Sequence, residues 1–419
     1  MQTICASVFR RFVSRGRLRV QWPDGSSQDF AGPPGSGPPG SGPEAALRFT
    51  DARAVRRLVL NPMLAVGESY MDGGLEPLGC TIYDVLDVLL TNLMANAAGH
   101  PIVRLQAALG RARRRLDQFN PAGRARRNVA HHYDLNGRLY SLFLDRDRQY
   151  SCAYFPNGDE TLEAAQAAKK RHIAAKLVLD RPDLSVLDIG CGWGGMALTL
   201  ARDYGARVLG ITLSVEQLNE ARSRAEAAGL ADRVRFELRD YRAVEERFDR
   251  IVSVGMFEHV GVDHFRTFFD TMARCLHPDG AALLHAIGRN EPPGSTNPWL
   301  TKYIFPGGYC PALSEVLGAS ERSGLVLTDI EILRLHYAET LRHWRRRFAA
   351  NRDTIASLYD ERFCRMFEFY LAGSELSFRR ENMMVFQIQL AHRQEAVPLT
   401  RDSSAVAEAA PRARASSVV

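Results

Sequence analysis

Lysine is nearly missing from this 419-residue chain: four of its 54 basic residues are lysine (Lys169, Lys170, Lys176 and Lys302), and the other fifty are arginine. Cations of this kind stay charged and grip phosphate with a planar fork, which suits nucleic acid or a phospholipid surface. A compositional bias toward Arg and Ala is the other reading. Also missing is any C-x-x-C pair among the seven cysteines (Cys5, Cys80, Cys152, Cys191, Cys275, Cys310, Cys364). Their odd number and wide spread argue against a zinc site or a disulfide framework and for reduced thiols in a cytoplasm. No run of eighteen or more apolar residues occurs, which excludes a membrane-spanning helix. The basic opening MQTICASVFRRFVSRGR breaks its apolar stretch at Arg10 and Arg11 before a secretory core forms. Contact with a membrane is therefore expected to be peripheral. With 46% hydrophobic and 24% charged residues and a formal charge of +6, the chain holds enough material for two or three packed domains.

Composition shifts divide the chain. RLRVQW (17–22) alternates like a strand, Asp24-Gly25 supplies a turn, and the AGPPGSGPPGSGP stretch at 31–43 reads as a loop that cannot bury a core. Helical patterning follows from Arg48 to about Leu116, with TIYDVLDVLLTNLM as an apolar helix. These features predict a small N-terminal domain over 1–118, for lipid binding or dimerisation. Eight arginines (Arg104, Arg111, Arg113, Arg114, Arg115, Arg124, Arg126 and Arg127) then face one acid, Asp117. They form either a solvated helix face and linker or a patch for an anionic surface. A second cluster, RHWRRRF at 342–348, mixes Trp344 and Phe348 with arginine, as a headgroup and acyl-chain interface would.

From Ser185 onward strands and helices alternate. Strands are expected at SVLDIG (185–190), ARVLGITL (206–213), RVRFELRD (233–240), FDRIVSVGM (248–256) and AALLHAIG (281–288). LVLTDIEIL (325–333) and the strictly alternating MMVFQIQLA (383–391), an antiparallel candidate, complete the set. Such alternation predicts an α/β fold: a doubly wound, Rossmann-like sheet of seven strands with a helical insertion, over 119–393. The Ala-, Ser- and Arg-rich tail at 394–419 reads as disordered.

After the first of these strands comes Asp188-Ile-Gly190-Cys191-Gly192-Trp193-Gly194-Gly195, then a helix. Glycines there let the backbone turn sharply and approach a nucleotide-type cofactor. A dinucleotide site would want G-x-G-x-x-G and an acid ending the second strand. Here a third glycine comes early, at Gly194, and the second strand ends in Gly210-Ile-Thr212-Leu-Ser214 with no carboxylate. Acid-before-loop with G-x-G-x-G is how S-adenosylmethionine methyltransferases begin. Thr212, Ser214 and Gln217 then supply hydrogen bonds in place of the missing acid, and Asp240 faces the adenine amino group. The plainer reading of Asp240-Tyr241 is a turn.

With YSCAYF (150–155), LDIGCGWGG (187–195), TLSVEQ (212–217), VGMFEHVG (254–261), LLHAIG (283–288) and NPWLTKYIFPGG (297–308), the chain resembles the cyclopropane-fatty-acyl-phospholipid synthases, mycolic acid cyclopropane synthases among them. The resemblance covers about Asn128 to His392 and is looser before that. It implies transfer of a methylene group from S-adenosylmethionine to the cis double bond of an unsaturated acyl chain in a membrane phospholipid. By similarity the cofactor is held at Tyr150, Ser151, Asp188, Gly190, Gly192, Gly194, Thr212, Gln217, Asp240 and Tyr241. The family also binds bicarbonate beside the reacting carbon. The corresponding positions are Cys152 and Ile287 through backbone groups, with Glu258, His285 and Tyr337 through side chains.

The chemistry explains the demand for such residues. Methyl transfer to an alkene needs no base at the start, but it leaves a carbocation that must lose a proton from the added methyl group to close the ring. His285 can donate to bicarbonate acting as that base, and Glu258 can hold its hydroxyl or tune His285. Outside the motifs, Glu258 reads as helix-terminal charge and His285 as a core histidine. Aromatics such as Tyr150, Tyr154, Phe155, Phe257, Tyr303 and Tyr337 can stabilise the cation, line an acyl tunnel or fill core. His131-His132 reads as lid structure rather than metal, and no metal is expected. A fatty-acyl C-methyltransferase leaving a methylene or methyl branch starts from the same cation and stays open. Nucleic-acid methylation is disfavoured because GMFEHV replaces the Asp/Asn-Pro-Pro-aromatic motif and no Pro-Cys nucleophile occurs, so nucleic acid is not the expected partner. A basic lipid-binding module with a decayed site is opposed by the intact GCGWGG loop. The expected setting is the inner face of a membrane, peripherally and as a homodimer, with anionic lipid and unsaturated acyl chains as partners.

Overall fold

A computed structural model of the chain describes residues 1–32, 42–96, 118 and 137–401. Most of the Gly/Pro loop at 31–43, the arginine cluster at 104–127, His131-His132 and the tail beyond 401 lie outside the described residues.

The chain forms two compact units. One joins the N-terminal segment to Ser295–Pro306 and Leu341–Met383, so it is not the linear 1–118 block that composition suggests. Its four-stranded sheet runs β2-β1-β3-β4, from β1 (Arg17–Gln21), β2 (Ser27–Ala31), β3 (Glu44–Phe49) and β4 (Leu75–Pro77). Gly25, at φ +83°, closes the β1–β2 hairpin in a left-handed conformation that glycine adopts without strain. In β1, Leu18 and Val20 point to the core while Arg17 and Arg19 point out and share Asp29. Asp51 caps the helix Ala52–Leu60 by accepting from the Ala54 amide at 2.7 Å. The long helix Glu361–Arg380, capped likewise by Asp360, adds Ala372 and Leu376 to this core.

The 342–348 cluster requires a correction. Leu341, Trp344 and Phe348 fall at helical spacing within His336–Ala350 and form its buried stripe, each no more than 1% exposed. Phe348 stacks on Phe367 at 5.1 Å, and Arg345 lies over the Tyr83 ring while pairing with the buried Glu375 at 3.0 Å. The aromatic residues of the cluster are therefore core, unavailable to acyl chains.

The second unit holds the seven-stranded sheet in the order β10-β11-β9-β8-β5-β6-β7. Its strands are β5 (Ser185–Ile189), β6 (Arg207–Thr212), β7 (Val234–Leu238), β8 (Phe248–Val254), β9 (Leu276–Arg289), β10 (Val326–Leu333) and β11 (Met383–Ala391). Strands β5 to β9 pair in parallel, and β11 runs antiparallel to β10. The doubly wound sheet expected from strand-helix alternation is thus present. Because side chains alternate across a strand, Leu187, Ile211 and Ile251 feed one apolar core while Val186, Val208 and Val252 feed the core on the opposite face. Strand order reverses direction between β5 and β8, the place where open α/β sheets bind ligands beyond their carboxyl ends.

Candidate active site

At that switch point a cavity is lined by Tyr150, Ser151, Asp188, Gly190 and Gly192. Thr212, Gln217, Asp240 and Tyr241 line it too. Gly194 does not reach it. Its φ of +82° and the Phe236 ring, 2.6 Å from where a Cβ would stand, make it a packing glycine under the loop. Gly192, also left-handed, faces open space, so its missing side chain leaves room in the cavity.

Asp188, next to last in β5, is only 2% exposed, and its Oδ2 has no hydrogen-bond partner among the described residues. Burial lifts its pKa to about 7, against a smaller opposing pull from the Lys169 charge. A carboxylate left this way is matched by a cationic ligand. Past β6, Thr212 Oγ1 donates to Gln217 Oε1 at 2.8 Å, and Ser214 caps the helix Val215–Ala227 through the Gln217 amide at 3.3 Å. Asp240 is held by its neighbour: Arg242 donates to it from Nε at 2.8 Å and from Nη2 at 2.7 Å.

The residues expected around bicarbonate, Cys152, Glu258, His285, Ile287 and Tyr337, are not among the residues that line this cavity, although Ser151 and His259, next in sequence to Cys152 and Glu258, are. Glu258 follows β8 in a short 3-10 turn and is buried. Its Oε1 accepts the Ile287 amide at 2.6 Å, while Oε2 is buried with no partner among the described residues. The Ile287 backbone therefore serves Glu258, which differs from the expectation that it is open to an anion. Burial raises the Glu258 pKa to about 7. Ile287 stands two residues beyond His285 along β9, so the two share a face of the strand. His285, 2% exposed, is held well below the usual imidazole range by burial and then by the nearby Lys169 and Lys176 charges. Cys152 is buried and burial pushes its thiol up. The next amide, Ala153, donates to Thr340 Oγ1 at 3.0 Å. Tyr337 begins the helix His336–Ala350 and is 8% exposed.

One residue missed by sequence reasoning is Lys169. It is wholly buried, and its ammonium donates to Gln149 Oε1 at 2.6 Å and Ser151 Oγ at 2.9 Å. Burial lowers its pKa to about 8. Its charge is felt at Asp188, Cys152 and His285. Three of the four lysines sit on one helix, Leu162–Lys176, and all three are buried; that concentration was the available signal.

The profile of the mycolic acid cyclopropane synthetase family matches residues 121–388. The chain belongs to this family. Within it, the chain is 39% identical over 345 residues to the cyclopropane-fatty-acyl-phospholipid synthase of Escherichia coli K12, covering 82% of this chain and 87% of that protein. It is 35% identical over 402 residues to the tuberculostearic acid methyltransferase UfaA1 of Mycobacterium tuberculosis, covering 92% and 90%. Among solved structures, the M. tuberculosis cyclopropane synthase MmaA2 superposes with a TM-score of 0.61 at 33% identity, over 65% of this chain and 99% of that one. Coclaurine N-methyltransferase shares the fold at 21% identity and a TM-score of 0.63. The family span contains every residue of the cavity lining and the five expected around bicarbonate, and the chain is accordingly an enzyme of the methyltransferase class.

Proposed function

We propose that the protein adds a methylene group from S-adenosylmethionine across the cis double bond of unsaturated phospholipid acyl chains, giving cyclopropane fatty acids. The observation that carries this reading is the pair of buried carboxylate oxygens without a partner among the described residues, Asp188 Oδ2 in the cavity lining and Glu258 Oε2 beside the lining residue His259 in sequence. A buried carboxylate without a partner is costly unless a ligand completes it. Asp188 suits the cationic amino-acid end of S-adenosylmethionine, with the space over Gly192 left for the rest of the cofactor and Thr212, Gln217 and Asp240 at its polar rim. The S-adenosylhomocysteine complex of the mycolic acid cyclopropane synthase CmaA1 supports the same cofactor.

The alkene attacks the sulfonium methyl group, the carbon–sulfur bond breaks, and positive charge passes to the neighbouring acyl carbon. Ring closure requires that carbon to take the electron pair of a C–H bond on the added methyl group as a base removes its proton. Bicarbonate bound beside Glu258 and His285 would supply that base. Glu258 Oε2 is suited to accept its hydroxyl, and His285 to donate to its carboxylate oxygen. Burial keeps competing water from the cation. Peripheral docking on the inner face of an anionic bilayer, through arginines, brings acyl chains to the site. Expression in a host with unsaturated lipids, followed by lipid mass spectrometry, tests the reading: acyl chains one CH2 heavier that resist hydrogenation are expected. Reduction of the new species to a branched chain would instead give the branched-chain reaction, consistent with the UfaA1 relative.

A further inference from the structure

A line of hydrogen bonds leads away from His285 through the sheet. His285 Nδ1 lies 3.1 Å from Gln387 Nε2. On its other side Gln387 Oε1 accepts from Lys176 Nζ at 2.7 Å. Lys176 also pairs with Glu331, whose Oε2 is met by His172 Nε2 at 2.6 Å. Gln387 is 0% exposed and Lys176 6%, so water does not compete for these contacts.

The chemistry of the end group propagates along this line. An ammonium has three donors and no acceptor, so the amide atom beside Lys176 must be the carbonyl oxygen. The same amide then presents its NH2 to His285. A ring nitrogen facing a donor must offer a lone pair, which leaves the ring proton on Nε2. Protonating both nitrogens would set an N–H against the amide N–H, so the arrangement also opposes the imidazolium form. The depressed pKa of His285 agrees with this. Among the described residues none pairs with Nε2, which keeps that N–H for a ligand.

We propose that Gln387, locked in orientation by Lys176, is a positioning residue that holds His285 as its neutral Nε2–H tautomer. Its value to catalysis rests on the preceding reading, in which His285 donates to the base; the tautomer itself does not. Histidine nitrogen shifts in protein labelled with [15N]histidine report the tautomer directly, with His285→Gln identifying the resonance among eleven histidines. The expected wild-type spectrum shows a bare Nδ1 and a protonated Nε2. A protonated Nδ1 in the wild-type protein overturns the proposal, and this measurement needs no variant beyond the assignment. In Gln387→Glu the carboxylate can only accept, so Nδ1 should become protonated; an unchanged His285 spectrum there also overturns it. Turnover in that variant should fall about 10- to 100-fold, as for other groups that orient a functional histidine, with S-adenosylhomocysteine affinity within about twofold. If the tautomer changes while turnover holds, Gln387 keeps its role and the catalytic reading of His285 is what fails.

Discussion

Glu258 holds the Ile287 amide with one carboxylate oxygen at 2.6 Å and leaves the other buried without a partner among the described residues. The first contact fixes the side chain and the second leaves an acceptor for chemistry. In Glu258→Gln the amide can keep the Ile287 contact through its oxygen but can no longer act as an anionic acceptor. Turnover should drop by about 10- to 100-fold, the range for a lost group that orients a reacting partner. Calorimetric affinity for S-adenosylmethionine should change little. Full activity in this variant would remove Glu258 from the mechanism.

Asp188 makes cofactor binding depend on pH. Its pKa is raised to about 7 in the folded protein from an ordinary value of 3.8, so the folded state binds more protons across that interval. Stability contributed by this group therefore falls as pH rises from near 4 to near 7. A cationic ligand prefers the ionised form, so S-adenosylmethionine affinity should rise with pH up to about 7 and then level. Titration calorimetry between about pH 6 and 8, roughly one unit either side of that value, follows the rise. Asp188→Asn should bind more weakly and lose this dependence.

Replacing Lys169 by Met strands Gln149 Oε1 and Ser151 Oγ. The expected cost is about 1–3 kcal/mol, read in scanning calorimetry as a midpoint lowered by about 2–8 °C. A raised midpoint would mean that the buried ammonium opposes folding, as buried charges can.

The glycines of the loop should separate by role. Gly194→Ala combines a left-handed backbone, which costs an ordinary residue about 1–2 kcal/mol, with a clash against Phe236 worth about 1–3 kcal/mol. Gly192→Ala meets no atom within 4 Å and should fold better than Gly194→Ala while binding cofactor more weakly. Thermal melts with and without S-adenosylhomocysteine distinguish the two.

Charge reversal at Arg113, Arg114 and Arg115, which lie outside the described residues, should weaken binding to anionic vesicles by about a hundredfold or more, at about 1 kcal/mol per basic residue. S-adenosylmethionine binding should be unchanged. Vesicle co-sedimentation at low and high salt is the measurement, since screening should erase the difference.

Local pattern was enough to find all seven strands of the large sheet, although β9 begins at Leu276, ahead of the expected start at 281, because β-period alternation and Gly-bounded apolar runs are decided by neighbours in sequence. SVLDIG became β5, and MMVFQIQLA became the antiparallel β11. Harder to read were features decided by distant segments. Trp344 and Phe348 look like an interfacial pair in a basic string, yet a helical stripe buries them. The recruitment of Leu341–Met383 into the N-terminal unit has no local signature. Lys169 and Gln387 escaped for the same reason: a polar side chain on a helix or strand reads as solvent-facing until its partners, here Ser151 and His285, arrive from elsewhere in the chain.

The burial of Lys169, Lys170 and Lys176 has a practical consequence for labelling. Lys302, with 55% of its side chain exposed, is the one lysine whose amine faces solvent, near the end of the short helix Pro298–Tyr303. Apart from the terminal amine, an amine-reactive dye, cross-linker or sensor surface should therefore attach to the folded chain at a single address. A lysine-specific protease acting on native protein should cut there first, and the appearance of cuts at 169–176 would report opening of the catalytic unit.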